Sequence, residues 1–299
     1  MFERMTVLGM GTMGDGIARF FAGKGLRVTV YDIDAAKIDT ARDRVCGEEK
    51  MRECLTYSSD LQEAIFVADI IIESVSEDLG VKRQLYDKMA PWVKDSAVVA
   101  SNTSTYPLAL LMAGQPFARR MLIAHFFNPA DLIPLVEIVR HADTMPGLAG
   151  AVADFLRYFG KVPVVLKRDI NGFIANRLQA AVLREAAFLL ESGVADAQDI
   201  DTVMTESIGI RWAMKGPFGI ADLGGLDVWQ KVCENLFPLL SQEVTTPDTI
   251  VEMVKEKKLG LKTGQGFYQY DEPGDSAAAY RRRLAWLLSL KQWDGDGSA

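Results

Sequence analysis

At 299 residues, 49% apolar and 24% charged, the chain has the composition of a soluble globular protein with room for about two domains. Its net charge of −7 excludes a surface built to hold a nucleic-acid backbone. Cys46, Cys54 and Cys233 are scattered with no CxxC pair, which excludes a disulfide framework or a zinc site and suits a reducing compartment.

The first predicted strand, Met5 to Leu8, begins within five residues of the start. That leaves no room for a signal peptide. No later apolar run reaches the ~18 residues of a membrane span, so a cytoplasmic protein is expected. Directly after the strand, Gly9, Gly11 and Gly14 form G-x-G-x-x-G. Thr12 and Met13 start a helix with apolar positions at Ile17, Phe20 and Phe21. A second strand, Arg27 to Tyr31, ends on Asp32, eighteen residues after Gly14. This order is the context a dinucleotide fingerprint needs. Gly9 permits the tight turn, Gly11 lets backbone approach the pyrophosphate, and Gly14 lets helix pack on strand. The helix N-terminus receives the phosphates. Asp32 accepts hydrogen bonds from the adenine ribose hydroxyls and repels a 2′-phosphate, so NAD is expected over NADP.

Further strands follow at helix-separated intervals. Ala68 to Ser74 and Ser96 to Ser101 are near-continuous apolar runs, as buried parallel strands should be. "RMLIAHFF", "LVEIVR" and "KVPVVLK" read as later strands. From Gly172 onward only helices are expected: "FIANRLQAAVLREAAFLLESG", "AQDIDTVMTES", "GIADLGGLDVWQKVCENLFPLL" and "DTIVEMVKEKK". The fold class is therefore α/β: a Rossmann-type dinucleotide-binding domain over 1–169, then an all-helical domain over 170–299.

Between the strands lies "HFFNPADLIPLVE", which holds one of the chain's two histidines. Beside a dinucleotide cofactor, His125 is a candidate base, because oxidising an alcohol requires proton loss from oxygen as well as hydride loss from carbon. Asn128-Pro129 breaks the strand and lets the chain return, so that Glu137 can meet His125 and balance the imidazolium. "SNTST", Ser101 to Thr105, sits just past a strand, where ligands gather in open α/β sheets.

The motifs "GMGTMGDGIA", "ESVSEDLGVKRQLY", "ASNTST", "HFFNPADLIPLVEIV", "GKVPVVLKRDINGFIANRL" and "LGLKTGQGFYQY" resemble, in the same order, those of the L-3-hydroxyacyl-CoA dehydrogenase family. The resemblance covers nearly all of residues 4 to 270. It implies a catalytic pair of His125 and Glu137, with Ser104 and Asn176 hydrogen-bonding the reacting oxygen region. It implies that Glu77, Lys82 and Asn102 contact NAD. It also implies a helical second domain that forms a homodimer, with the active site between domains.

Two departures bear on the substrate. The family's acyl-CoA enzymes carry a long helical hairpin after the second strand, but here only 36 residues separate Asp32 from Asp69. From Lys37 to Glu53, Lys37, Arg42, Arg44, Lys50 and Arg52 are balanced by Asp39, Asp43, Glu48, Glu49 and Glu53, so no basic stripe awaits CoA phosphates. Second, "GIRWAMKGPF" resembles relatives that oxidise free acids. Arg211 can bind a carboxylate through two parallel hydrogen bonds, or it is a surface arginine at a helix end. The family default is a short-chain 3-hydroxyacyl-CoA. The alternatives are a small free 3-hydroxy acid and, in another class, a non-catalytic NAD-binding protein like the family's lens crystallin. The tail, Ser276 to Trp293, reads as one more helix with a broad apolar face, suited to docking on the dimer.

Overall fold

A computed structural model describes residues 2–44 and 49–293. Cys46, Glu48 and the residues beyond Trp293 lie outside the described residues. Two compact units are present: one runs to Asn176 and is joined by the chain from Leu284, and the other is Arg177–Arg283.

The first unit is built on one eight-stranded sheet. Its strands are β1 (Arg4–Leu8), β2 (Arg27–Tyr31), β3 (Leu55–Ser58), β4 (Ile70–Glu73), β5 (Val98–Ser101), β6 (Met121–Phe126), β7 (Leu135–Val139) and β8 (Val162–Val165). They lie in the order β3-β2-β1-β4-β5-β6-β7-β8. All neighbours are parallel except β6 and β7. Seven strands fall where the apolar runs place them. β3 is the exception: four residues with one strongly apolar side chain carry too little pattern to announce a strand.

The helices of this unit are α1 (Thr12–Gly23), α2 (Ala35–Arg44), α3 (Glu49–Cys54), α4 (Leu61–Phe66), α5 (Leu79–Met89), α6 (Leu108–Met112) and α7 (Leu148–Tyr158). They cover both sheet faces, which is why the central strands read as unbroken apolar runs. On one face Ile70, Ile72 and Val98 meet Ile17 and Phe21 of α1 and Phe155 of α7. On the other, Ile71, Val99 and Ile123 meet Ile65, Tyr86 and Leu111. Each fully buried side chain of this kind contributes roughly 1.5–3 kcal/mol. Pro163 is tolerated because β8 is an edge strand with no neighbour beyond it.

The expected boundary at 169/170 falls seven residues short of the one observed. The N–H groups of Ile174 and Ala175 are bonded to Glu137 in the sheet, which keeps this stretch with the first unit. The Arg177–Arg283 unit is helical. It is formed by α8 (Ala175–Glu191), α9 (Ala197–Val203), α10 (Gly209–Gly224), α11 (Leu226–Leu236), α12 (Asp248–Lys255) and the first part of α13 (Pro273–Trp293). The single helix expected over 219–240 is two, divided at Gly225 with φ 86°, a backbone conformation glycine adopts without cost. Arg211 lies in the first turn of α10 and is exposed. No helix among the described residues is long and apolar enough to cross a membrane.

Candidate active site

The strand order reverses between β1 and β4, and in such sheets ligands bind outside the carboxyl ends at that point. A cavity of about 840 Å³ lies there. Gly9, Gly11, Thr12 and Met13 form one wall, and Asp32, Ile33 and Lys37 form the next. Glu77, Asn102, Ser104, His125 and Asn176 complete it. Of the candidates for catalysis, NAD and substrate named one by one in the sequence, all but Gly14, Lys82, Glu137 and Arg211 reach this wall, and of "SNTST" only Asn102 and Ser104 do.

The glycines show that the residues present fit a dinucleotide. Gly9 has φ +97°, and a Cβ there would come within 2.6 Å of the Ser74 carbonyl oxygen. A Cβ on Gly14 would collide with the Gly9 carbonyl, so the helix can sit against the turn only without one. Gly11 has no atom within 4 Å of its would-be Cβ. It lines the cavity, so any side chain there would fill space that a pyrophosphate needs. Asp32 is 5% exposed. Its Oδ2 accepts the Met10 N–H at 2.7 Å and its Oδ1 accepts the Asp34 N–H at 2.9 Å. The backbone therefore fixes the carboxylate at the wall, with Lys37 Nζ 3.8 Å away.

His125 and Glu137 are directly opposite across the antiparallel β6–β7 pair. Nδ1 of His125 lies 3.1 Å from Glu137 Oε2. Both are buried, at 5% and 1% exposure. The other carboxylate oxygen, Oε1, accepts the N–H groups of Ile174 (2.9 Å) and Ala175 (3.0 Å). Burial pushes the Glu137 carboxyl up, but the His125 hydrogen bond and these two N–H groups outweigh it and hold it below the usual range. A carboxylate on Nδ1 keeps the proton on that nitrogen and leaves Nε2 of the neutral ring as the acceptor. His125 packs against Phe127 and Phe173, with ring centroids 4.4 and 5.4 Å away.

A second buried network underlies the opposite side of the cavity, and the sequence did not announce its centre. Glu73, at the end of β4, is fully buried. Its Oε1 accepts Lys82 Nζ (2.8 Å) and the Val75 N–H (2.9 Å). Its Oε2 accepts the Tyr86 hydroxyl (2.7 Å) and the Ser101 hydroxyl (2.6 Å). Burial and the Glu73 charge push the Tyr86 phenol well up, which keeps it a donor. Lys82 also reaches Glu77 Oε2 at 3.1 Å. At 1% exposure it stands behind Glu77, outside the residues that line the cavity. Glu77 Oε1 takes the Thr103 hydroxyl and the Ser104 and Thr105 N–H groups. Burial raises the Glu77 carboxyl, yet the Thr103 hydroxyl and the Lys82 charge more than offset this and hold it low. Asn102 bridges Ser74 and the Phe126 N–H, tying the end of β6 to the β4 loop. The one sequence signal for this network was the lone acid closing an apolar run in "ADIIIES".

Fold and site together define a nucleotide-binding oxidoreductase of the doubly wound α/β class. The chain belongs to the 3-hydroxyacyl-CoA dehydrogenase family: family models for the NAD binding domain and the C-terminal domain match residues 4–170 and 172–270. It is 32% identical over 304 residues to the 5-formyl-3-hydroxy-2-methylpyridine 4-carboxylate 5-dehydrogenase of Mesorhizobium japonicum, covering 98% of each chain. A crystal structure of an enzyme of that name, described as an NAD+ dependent dismutase, matches with a TM-score of 0.92 at 31% identity and covers all of both chains. The 3-hydroxybutyryl-CoA dehydrogenase of Mycobacterium tuberculosis is 33% identical over 285 residues, covering 90% of this chain and 98% of its own. The protein is thus an NAD-dependent dehydrogenase, and NAD is its cofactor.

Asp32→Ala should narrow the preference for NAD over NADP by about tenfold or more, roughly one lost charged hydrogen bond. Initial rates with each cofactor measure this, and equal use of both by the unaltered protein would contradict it.

Proposed function

We propose that the protein oxidises a small acid that is not carried on CoA, a 3-hydroxy acid being the first candidate, with His125 as the base. The observation that carries this reading is the end-to-end match, at TM-score 0.92, to an enzyme whose name specifies a free pyridine carboxylate. The span between β2 and β4 supports it. The helices described there, α2, α3 and α4, have ten, six and six residues and offer little surface to a CoA nucleotide.

In this reading Nε2 of His125 takes the hydroxyl proton, while Glu137 holds Nδ1–H and balances the imidazolium. Ser104 and Asn176 hydrogen-bond the reacting oxygen, and Asp32, Gly11 and Thr12 hold the cofactor. NAD, when bound, accepts the hydride from carbon. If Arg211, which is not among the residues lining the cavity, meets the substrate carboxylate, the charged contact is worth ~1.5–3 kcal/mol. Arg211→Met therefore raises KM for a free acid by about tenfold or more and leaves any thioester activity nearly unchanged. The deciding experiment compares rates on 3-hydroxybutyryl-CoA, free 3-hydroxy acids and a formyl pyridine carboxylate. Preference for the thioester, indifferent to Arg211→Met, would return the assignment to the CoA substrate.

The partner is a second copy of the chain. Ala187 is the only buried residue of the helical unit among the described residues. Phe218, Leu223 and Leu239 are 87%, 73% and 72% exposed. Apolar surface of this extent marks an interface, and a like surface on an identical chain can cover it. We place the enzyme in the cytoplasm, where Cys54 and Cys233, free in this structure, would stay reduced.

A further inference from the structure

Phe173 has a left-handed backbone, with φ 51°, and follows Gly172 at φ 76°. Among the described residues only Lys257 shares this conformation without being glycine. A bulky residue avoids the region because its Cβ crowds the following carbonyl oxygen. It stays there only where the surroundings over-determine it. Here the ring does so. It is 1% exposed, sits in the core with Val139 and Leu166, and lies against the His125 imidazole at 5.4 Å. The Phe173 N–H is itself held by the Ile170 carbonyl at 3.0 Å.

Two left-handed residues in succession turn the chain sharply. The next two N–H groups, of Ile174 and Ala175, then both meet Glu137 Oε1. With one oxygen fixed by backbone, the other faces His125 Nδ1. We propose that Phe173 is a positioning residue for the His125–Glu137 pair: its left-handed backbone aims two N–H groups at Glu137 and so aims Glu137 at His125. The proposal rests on the reading of that pair as the working dyad. Nothing in the turn touches substrate; Phe173 acts through Glu137.

Backbone and ring can be separated. Glycine enters the left-handed region freely but has no ring. Valine keeps apolar bulk but is excluded from it. The readout is the titration of the Glu137 carboxyl, followed by NMR with selectively labelled glutamate in the full-length protein. In Phe173→Val the Glu137 pKa should rise from its lowered position, because the two donors are displaced. In Phe173→Gly it should stay near that of the unaltered protein. A double-mutant cycle adds a kinetic arm with 3-hydroxybutyrate or 3-hydroxybutyryl-CoA. Phe173→Val should lower kcat by about tenfold in the unaltered protein and by less than about twofold in a Glu137→Gln background, since groups acting through one contact are non-additive. An unmoved Glu137 in the valine variant overturns the proposal, and so does an equal rise in both variants. Should the valine variant not fold, the glycine variant still decides, because a raised Glu137 there contradicts a backbone-held donor pair. Full turnover in His125→Ala would sink the assignment of the base alone and leave this geometry standing.

Discussion

Replacing His125 with alanine lowers kcat by about 10²–10⁴, the usual worth of a positioned base, and leaves NAD affinity nearly unchanged. The loss is expected to be chemical because Glu137 loses one partner but not its backbone donors. Glu137 keeps the Ile174 and Ala175 N–H groups on Oε1 after the imidazole is gone, so the buried carboxylate stays solvated by backbone. Glu137→Gln acts in the same direction by weakening support for the imidazolium. Turnover at neutral pH and NADH titration together make the test. Near-normal kcat in His125→Ala would mean that another group takes the proton.

Replacing Glu73 with alanine should destabilise the fold by about 3–5 kcal/mol, the cost of breaking a buried ion pair from one side. Four donors lose their acceptor at once: the Lys82 ammonium, the Tyr86 and Ser101 hydroxyls and the Val75 N–H. Only Lys82 has another anion in reach, Glu77 at 3.1 Å. Total stabilities are roughly 5–15 kcal/mol, so much of the margin would go. Denaturant midpoints measure the loss, and a shift worth less than about 1 kcal/mol would show the network to be dispensable. Glu73→Gln keeps one acceptor oxygen and should cost less.

The sheet was legible because its central strands are buried on both faces and read as apolar runs; β8, exposed at three of its four residues, is an apolar run all the same. β3 was not, because Leu55 is its one strongly apolar residue. The helical half was legible as helices but not in its breaks: Gly225 divides α10 from α11, and one glycine inside an amphipathic stretch does not reveal whether its φ is positive. In the site, the glycine fingerprint, Asp32 and the His125–Glu137 pairing follow from local chemistry and strand return. Glu73 and Phe173 do not. Their importance lies in what α5, neighbouring strands and a turn bring to them, and neither spacing nor composition records that. Lys82 is a further case: the resemblance implied an NAD contact, but nothing in the motif told that the acid nine residues earlier holds its ammonium.

The cross-strand pairing of His125 with Glu137 sets how this pair can fail. Each belongs to a strand with neighbours on both sides, β5 and β7 for one, β6 and β8 for the other. Such strands open only in fluctuations approaching global unfolding, whereas loops and termini open at far lower free energy. The amides of Ala124 and Ile138 should therefore be among the last to exchange with deuterated solvent. The histidine and its acid are not assembled by the arriving substrate. They are present whenever the protein is folded.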